Sequence, residues 1–146
     1  MLQRETCIRR LMYLLSQVPS VGFVARNPVS APDAADFPAI MLFEFPDRVM
    51  SMSRRGGYPS YIRQMQVNIE FYVAGTTEDS ASSDLTTFLQ DAKTLIYTDG
   101  ATLGLKGVAV EEVSSTRLWR PPVGKNAAGI GLQFNIQFVE NTGAYF

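Results

Sequence analysis

The residue types that most often carry enzyme chemistry are scarce in this sequence. The chain has no histidine and a single cysteine, Cys7, among 146 residues. Histidine is the commonest general base and transition-metal ligand, and it activates the nucleophile of serine and cysteine hydrolases. A lone cysteine can form neither an intramolecular disulfide nor a cysteine-cluster metal site. We therefore expect no hydrolase, transferase or redox activity, no cofactor and no bound transition metal.

Carboxylates are the remaining groups that could carry acid–base chemistry. Glu111 and Glu112 are adjacent in a segment with strand character, so their side chains are predicted to point to opposite faces of a sheet and not to form a catalytic pair. Asp33, Asp36 and Asp47 lack the regular spacing and the fixed glycine of a calcium-binding loop. The favoured interpretation of these three is solvated loop carboxylates.

Neither the cysteine nor the glycine-rich stretches match a known reactive motif. Cys7 lies near the apolar stripe of an N-terminal helix and has no histidine to activate it, so a small buried side chain is favoured over a nucleophile. The glycines of "RRGGYP" and "GATLGLKG" do not lie between a strand and a helix, as a phosphate-binding loop requires. Both stretches are predicted to be turns.

Two clusters combine arginine with aromatic residues, and three interpretations of them stay open. The favoured one is a contact between subunits, because Trp, Tyr and Arg dominate the energetics of protein interfaces. The second is a solvated loop tip on which arginines stack against aromatic rings. The third is contact with the phosphates or bases of DNA. The first cluster is Arg54, Arg55, Tyr58, Tyr61 and Arg63, and the second is Arg117, Trp119 and Arg120.

The bulk composition indicates one soluble domain. Thirteen basic and fourteen acidic residues give a formal charge of −1, so there is no global attraction to nucleic acid or to an anionic membrane. No stretch approaches the roughly 20 apolar residues of a membrane span. Charged residues also interrupt the N-terminal segment, which therefore lacks the apolar region of a signal peptide. We expect neither secretion by that route nor a membrane partner.

Hydrophobic periodicity predicts two helices and five strands. Their order, α-β-β-β-α-β-β, favours an α+β fold: a two-layer sandwich in which two helices pack on one face of a mostly antiparallel sheet. A stretch rich in Gly, Ser and Met, residues 46–60, is predicted to be a long, mobile connection or a hairpin tip. The helices are predicted at residues 2–18 and about 82–97, and the strands at 20–27, 39–45, 63–75, 105–121 and 131–141.

Two of these strands have one apolar face and one face rich in side-chain amides. In "QVNIEFYV" and "GLQFNIQFVE" every second residue is apolar, and Gln66, Asn68, Gln133 and Asn135 are among the residues between. The solvent face of an ordinary sheet carries Lys, Glu and Thr instead. This composition indicates a surface with a specific role.

The whole chain resembles the tail terminator, or tail completion, proteins of long-tailed bacteriophages. The matching features are an N-terminal helix ending in "VPSVG", a proline-containing loop before "FPAIMLFEF" and the long strand with "QVNIEFYV". The helix "DLTTFLQDAKTLIYT" and the strands "TLGLKGVAVEEV" and "GLQFNIQFVE" follow in the same order. The stretch "SMSRRGGYPS" and the tail from about residue 141 match no motif of the family.

The resemblance implies a structural virion protein and not an enzyme. Its members form a hexameric ring that caps the finished tail tube at its head-proximal end, after assembly in the host cytoplasm. The implied partners are other copies of the chain, the major tail tube protein and a head connector or neck protein, with viral DNA passing through the lumen without sequence-specific binding. The alternatives are another head–tail joining protein, such as a neck or head-completion adaptor, or a small ligand-binding domain.

Within that resemblance the amide-rich faces have two interpretations. Amides can hydrogen-bond to a neighbouring subunit without the desolvation cost of burying Lys or Glu. They can also line a passage for DNA, where neutral polar groups do not hold a sliding polyanion. We further expect Arg54 and Arg55 to contact a partner when residues 46–60 become ordered.

Overall fold

The computed structural model describes residues 3–30, 32, 36–55, 58–75, 77–115 and 127–141. These residues form two helices and six strands in the order α-β-β-β-β-α-β-β. The elements are α1 (Gln3–Ser16), β1 (Phe23–Arg26), β2 (Ala39–Glu44), β3 (Arg48–Arg55), β4 (Tyr58–Ala74), α2 (Glu78–Ile96), β5 (Ala109–Ser115) and β6 (Ala127–Asn141).

The long strands β4 and β6 form the centre of the sheet. They pair antiparallel from Ser60 opposite Asn141 to Ala74 opposite Ala127. Across the sheet the order is β1-β2-β4-β6-β5, and β3 pairs with β4 beyond the end of β2. Only β1 and β2 pair in parallel among the described strands. The sheet is therefore mostly antiparallel, as predicted.

The main core lies between one face of this sheet and both helices. Alternate residues of β4 and β6, including Val67, Phe71 and Phe134, point into it and are almost fully buried. The helices contribute residues at helical spacing, such as Leu11 and Leu85. Burial of this single continuous cluster confirms the predicted two-layer α+β arrangement with the helices on one face.

Helix α2 begins earlier than its apolar periodicity suggests. We predicted a start near Ser82, whereas the helix starts at Glu78. The reason is a capping box, in which the Ser80 amide donates to Thr77 Oγ1 and the Thr77 amide donates to Ser80 Oγ, both at 3.0 Å. Side-chain caps satisfy amides at the helix start even where the first turn carries no apolar stripe.

The structure adds one strand to the predicted set. Residues 46–60 contain β3 and the start of β4, and Arg55 pairs with Tyr58 across the ladder. We predicted either a long, mobile connection or a hairpin tip for these residues, and the structure shows a hairpin. The Gly, Ser and Met content did not suggest a strand. Backbone pairing with β4 stabilises β3, whose described side chains form no buried apolar face. Its mobility remains a prediction.

Three predicted strand starts also differ from the structure, because β1 begins at Phe23 and not at residue 20, β5 at Ala109 and not at residue 105, and β6 at Ala127 and not at residue 131. The predicted turns between α2 and β5 are confirmed. Residues 97–107 form turns, and Gly100, Gly104 and Gly107 have positive φ angles of 70–76°, which glycine adopts without a steric penalty. The predicted strand at 105–121 contributes β5, and its residues from 116 onward lie outside the described part. The helices of the described ranges include none that is both long and apolar enough to span a bilayer.

Candidate assembly surfaces

The sheet face opposite the helices carries a ladder of side-chain amides. Gln66 pairs across the strands with Asn135, and Asn68 pairs with Gln133. All four side chains are half-buried, and Gln66 Nε2 donates to Asn68 Oδ1 at 3.3 Å. Gln64, opposite Gln137, extends the ladder by one pair. We call these six residues the amide face. The structure thus confirms that the apolar and amide sides of these two strands are segregated.

Two different borders flank the amide face. On the β2 side, Tyr72 donates to Glu70 Oε1 at 2.6 Å and stacks on Phe37, with ring centroids 5.9 Å apart. Burial, followed by the nearby Glu70 carboxylate, raises the pKa of Tyr72, so its hydroxyl stays protonated. A pocket of about 250 Å³ lies beside this pair and is also lined by residues 28–30 and Pro32. On the β5 side, Glu111 lies opposite Asn135.

Three strand segments extend past the part of the sheet that the helices cover. We call β3, residues 58–63 of β4 and residues 139–141 of β6 the arm. Apolar side chains on the arm are between 41% and 51% exposed. They are Val49, Met50, Met52, Ile62 and Val139. An arm of this kind presents backbone edges and apolar side chains together, a combination that favours contact with another chain.

The predicted arginines of the arm differ in their surroundings. Arg54 is exposed and makes no ion pair with the residues that the structure describes, and the same holds for Arg48. Arg63 lies instead at the base of the arm, where Nη1 donates to Asp47 Oδ2 at 3.3 Å. Its Nε is 3.2 Å from Glu140 Oε2, an ion-pair distance without hydrogen-bond geometry, and its guanidinium lies 5.3 Å from the centre of the Tyr61 ring.

The other predicted contact residues are only partly placed. Arg55 and Tyr58 are described through their backbones, which pair with each other in the hairpin. Arg117, Trp119 and Arg120 lie outside the described residues. The first arginine–aromatic cluster is therefore divided between the exposed Arg54 and the paired Arg63.

A charge network that the sequence did not reveal ties α1 to β1 and β2. Arg26 donates two hydrogen bonds of 2.8 Å to the carboxylate of Glu5 and one of 2.6 Å to Glu44 Oε2. The Asn27 side-chain amide also donates to Glu44, at 2.7 Å. Arg4 links this group to the arm base, because it donates to Asp47 Oδ1 at 2.7 Å. Bidentate arginine–carboxylate pairs of this kind fix geometry as well as charge.

The network shifts the ionisation of its carboxylates. Hydrogen bonds from Arg26 are the main cause that lowers the pKa of Glu5 to about 2. For Glu44, desolvation acts to raise the pKa, but the hydrogen bonds from Arg26 and Asn27 together with nearby positive charge outweigh it, so the pKa is lowered. Both carboxylates are therefore charged at neutral pH.

Cys7 and the two adjacent glutamates are placed as the sequence suggested, but Asp47 is not the solvated loop carboxylate that we predicted, because it pairs with Arg4 and Arg63 at 2.7 and 3.3 Å. Cys7 is fully buried, and burial raises the pKa of its thiol to about 11. Glu112 pairs with Lys93 of α2 at 3.1 Å, on the helix side of the sheet, while Glu111 is on the other face. Within the described ranges no three His, Cys, Asp or Glu side chains are grouped to hold a metal ion. Asp36 is described, whereas Asp33 is not.

A second pocket lies at the opposite end of β4 from the arm. Its volume is about 330 Å³, and Phe88, Val73 and two prolines supply apolar walls. Asp84 and Asp91 of α2 line it too, and neither makes an ion pair with a residue in the described ranges. The complete lining is Pro19, Ser20, Pro38, Val73, Ala74, Asp84, Thr87, Phe88 and Asp91. We call it the α2 pocket.

Local patterns in the sequence indicate two of these features, strand β3 and the face of α2 that lines the pocket. The alternation of Met and Ser in "VMSMS" has the period of a strand, and it indicates β3 when it is weighed above composition. Asp84, Thr87, Phe88 and Asp91 have the spacing of one helix face. No local pattern indicates the Arg26 network, because Arg26 lies 18 residues from Glu44 and 21 residues from Glu5 along the chain.

No protein-family model and no curated protein matches the chain. Among solved structures, one chain aligns with 94% of this chain and 92% of its own length, at 16% sequence identity and a TM-score of 0.45. The name of that protein states no function, and a likeness at this score carries no argument about this chain.

Proposed function

We propose that this protein is a structural subunit that forms a ring on the head-proximal end of a bacteriophage tail tube and joins the tail to the head connector. The proposal starts from the resemblance in element order along the chain. The observation that carries it furthest is the arm, in which five apolar side chains are 41–51% exposed although the adjoining core is almost completely buried. A subunit of a larger assembly has a reason to keep such a surface.

The amide face fits the same role. Its side chains can exchange hydrogen bonds with a second surface, whether that surface is a neighbouring subunit or the water around DNA in a lumen. Its amides carry no formal charge, so they neither repel nor bind a polyanion strongly. The acidic residues at its two borders, Glu70 and Glu111, would discourage tight binding of DNA further.

The mass of the native assembly tests this proposal. The purified chain, or the chain added to uncapped tail tubes, is expected to form a ring of six copies of 16.2 kDa, about 97 kDa. Native mass spectrometry measures the number of copies, and negative-stain electron microscopy shows whether the ring lies at the end of the tube. A stable monomer that binds a metabolite and never attaches to tubes would contradict the proposal and favour a ligand-binding domain.

Electron microscopy also distinguishes a tail terminator from the alternative, a neck or head-completion adaptor. An adaptor is expected on the portal of isolated heads, whereas a terminator is expected on isolated tails. Gold-labelled protein mixed separately with purified heads and with purified tails gives the comparison. Attachment to heads alone would replace the tail-capping role with the adaptor role.

A further inference from the structure

We propose that the arm of one copy docks into the α2 pocket of a second copy, with Arg54 between Asp84 and Asp91. The occupant is thus another molecule of this chain. Charge, shape and position support the contact itself. Its closure into six copies, however, rests on the proposed function above.

The arm supplies a cation beside an apolar side chain. In the β3–β4 ladder Met52 lies opposite Tyr61 and Arg54 lies opposite Pro59, so Met52 and Arg54 share one face of the arm. Met52 is 51% exposed, and Arg54 is exposed without an ion pair to the described residues. An exposed Arg beside an exposed Met is typical of interface anchors.

The α2 pocket supplies the complementary surface. Phe88 and Val73 form apolar walls against which the aliphatic part of an arginine can pack. Asp84 and Asp91 are two helical turns apart on one side of α2, so a guanidinium between them can donate to a carboxylate on either side. The volume of about 330 Å³ falls within the range of pockets that enclose a ligand group.

The position of the two surfaces prevents the contact within one molecule. The arm lies at the Tyr58 end of β4 and the pocket adjoins Val73 and Ala74 at the other end. Ser60 and Val73 are thirteen residue steps apart along an extended strand, which separates the two surfaces by roughly 40 Å. Complementary surfaces at opposite ends of a subunit make a head-to-tail contact, which generates a ring when the rotation closes.

Charge reversal tests the contact in the full-length chain. Arg54→Glu alone, and Asp84→Arg with Asp91→Arg alone, are each expected to weaken self-association at least ~10-fold because like charges then face each other. A chain that carries all three changes, and an equimolar mixture of the two variants, are expected to restore it. Sedimentation velocity across a concentration series measures the association, and Thr86→Arg on the other side of α2 is the control for added charge.

Cysteine cross-linking tests the same contact when association is weak. Met52→Cys in one copy, which keeps Arg54, and Thr87→Cys in another are expected to form an intermolecular disulfide under mild oxidation, since Met52 shares the face of Arg54 and Thr87 lines the pocket. Cys7 is fully buried and serves as an internal thiol that does not react. The matched control is Thr86→Cys, which is exposed on α2 but does not line the pocket.

The outcomes separate this inference from the proposed function. Assembly that is indifferent to charge reversal, or cross-linking of Thr86→Cys as strong as that of Thr87→Cys, overturns the contact and leaves a tail-capping ring standing. A dimer that follows the charge pattern supports the contact and overturns the hexamer. A chain that stays monomeric up to its solubility limit and forms no cross-link overturns the contact, and its attachment to tail tubes then decides the proposed function.

Discussion

The two ends of β4 share one backbone ladder but differ in what covers their side chains. From Met65 to Val73 the inward residues are at most 2% exposed, because both helices pack over them. Towards Tyr58 the same face of the strand continues into the arm with Arg63 and Tyr61, which are only half-buried. On the opposite face of the arm, Ile62 is 41% exposed. Pairing with β6 is continuous through both parts. Hydrogen bonding between strands therefore does not distinguish the two ends, whereas apolar burial does.

This difference indicates a division of roles along one strand. Burial of apolar surface is the main favourable term in folding, so the helix-covered end determines the stability of the monomer. The arm adds little to that burial and leaves apolar area accessible to a second chain. Substitutions at the covered end should therefore act on the free energy of unfolding, and substitutions on the arm should act on association.

The strongest test of the covered end is Phe71→Ala. Phe71 is fully buried and makes an edge-to-face contact with Phe88, at 6.0 Å between ring centroids. We expect the free energy of unfolding to fall by roughly 3–5 kcal/mol because a large cavity replaces the ring. Urea denaturation of the monomer measures it, with Phe71→Leu as the milder control. If Phe71→Ala lowered the free energy of unfolding less than the arm substitutions do, the helix-covered end would not be the main source of monomer stability.

The charge network between the two ends should have an intermediate effect. In Arg26→Met, Glu44 loses its closest partner although its side chain is only 9% exposed. We expect a loss of about 1–3 kcal/mol at neutral pH, because this poorly solvated carboxylate then keeps only the Asn27 amide and the more distant Arg4 guanidinium as partners. Arg9→Ala is the control, because the Arg9 side chain is 66% exposed and its pair with Glu5 is screened by solvent, so this variant should lose much less stability. Equal losses in both variants would contradict this account.

The same network predicts a dependence of stability on acid. The folded pKa values of Glu5 and Glu44 are lowered, to about 2 for Glu5, relative to a usual value of 4.5. The unfolded chain therefore binds more protons in this range, and the stabilisation is complete above pH 4.5 and is lost as the pH falls towards 2. Arg26→Met should flatten this slope. An unchanged slope in equilibrium unfolding between those pH values would exclude the network as its cause.

The parts of the fold that follow local pattern were predictable, and the parts that depend on distant residues were not. Alternation in "QVNIEFYV" and "GLQFNIQFVE" was sufficient to predict the central strands and to separate the amide face from the core, because strand side chains alternate between faces. β3 was missed although Met and Ser alternate along it, because its Gly-, Ser- and Met-rich composition was given more weight than that period. The Arg26 network and the α2 pocket depend on how β1, β2 and α2 pack, and no local pattern specifies that packing.

A smaller effect on folding is expected for lysine on the amide face. In Gln66→Lys, Asn68→Lys, Gln133→Lys and Asn135→Lys the long side chain can reach solvent in the monomer, so the cooperative unfolding transition should persist with a loss of about 1 kcal/mol or less. Within an assembly the ammonium would lack a partner, and ring formation or tail capping should weaken. Thr86→Lys on α2 is the control. Loss of the folded monomer in all four variants would assign this face to the core.

The smallest effect on folding, and the sharpest contrast with the covered end, is expected on the arm. Met52→Ser removes a side chain that is 51% exposed, and Val113→Ser removes one that is 48% exposed on β5, outside the arm. Both should change the free energy of unfolding by less than about 0.5 kcal/mol, since neither empties a buried site.

Self-association should separate these two variants. Met52→Ser should weaken it in sedimentation velocity because the apolar neighbour of Arg54 is lost, and Val113→Ser should not. If both variants associate like the unmodified chain, the exposed apolar residues of the arm are ordinary surface residues. The two ends of β4 would then differ in burial without differing in role.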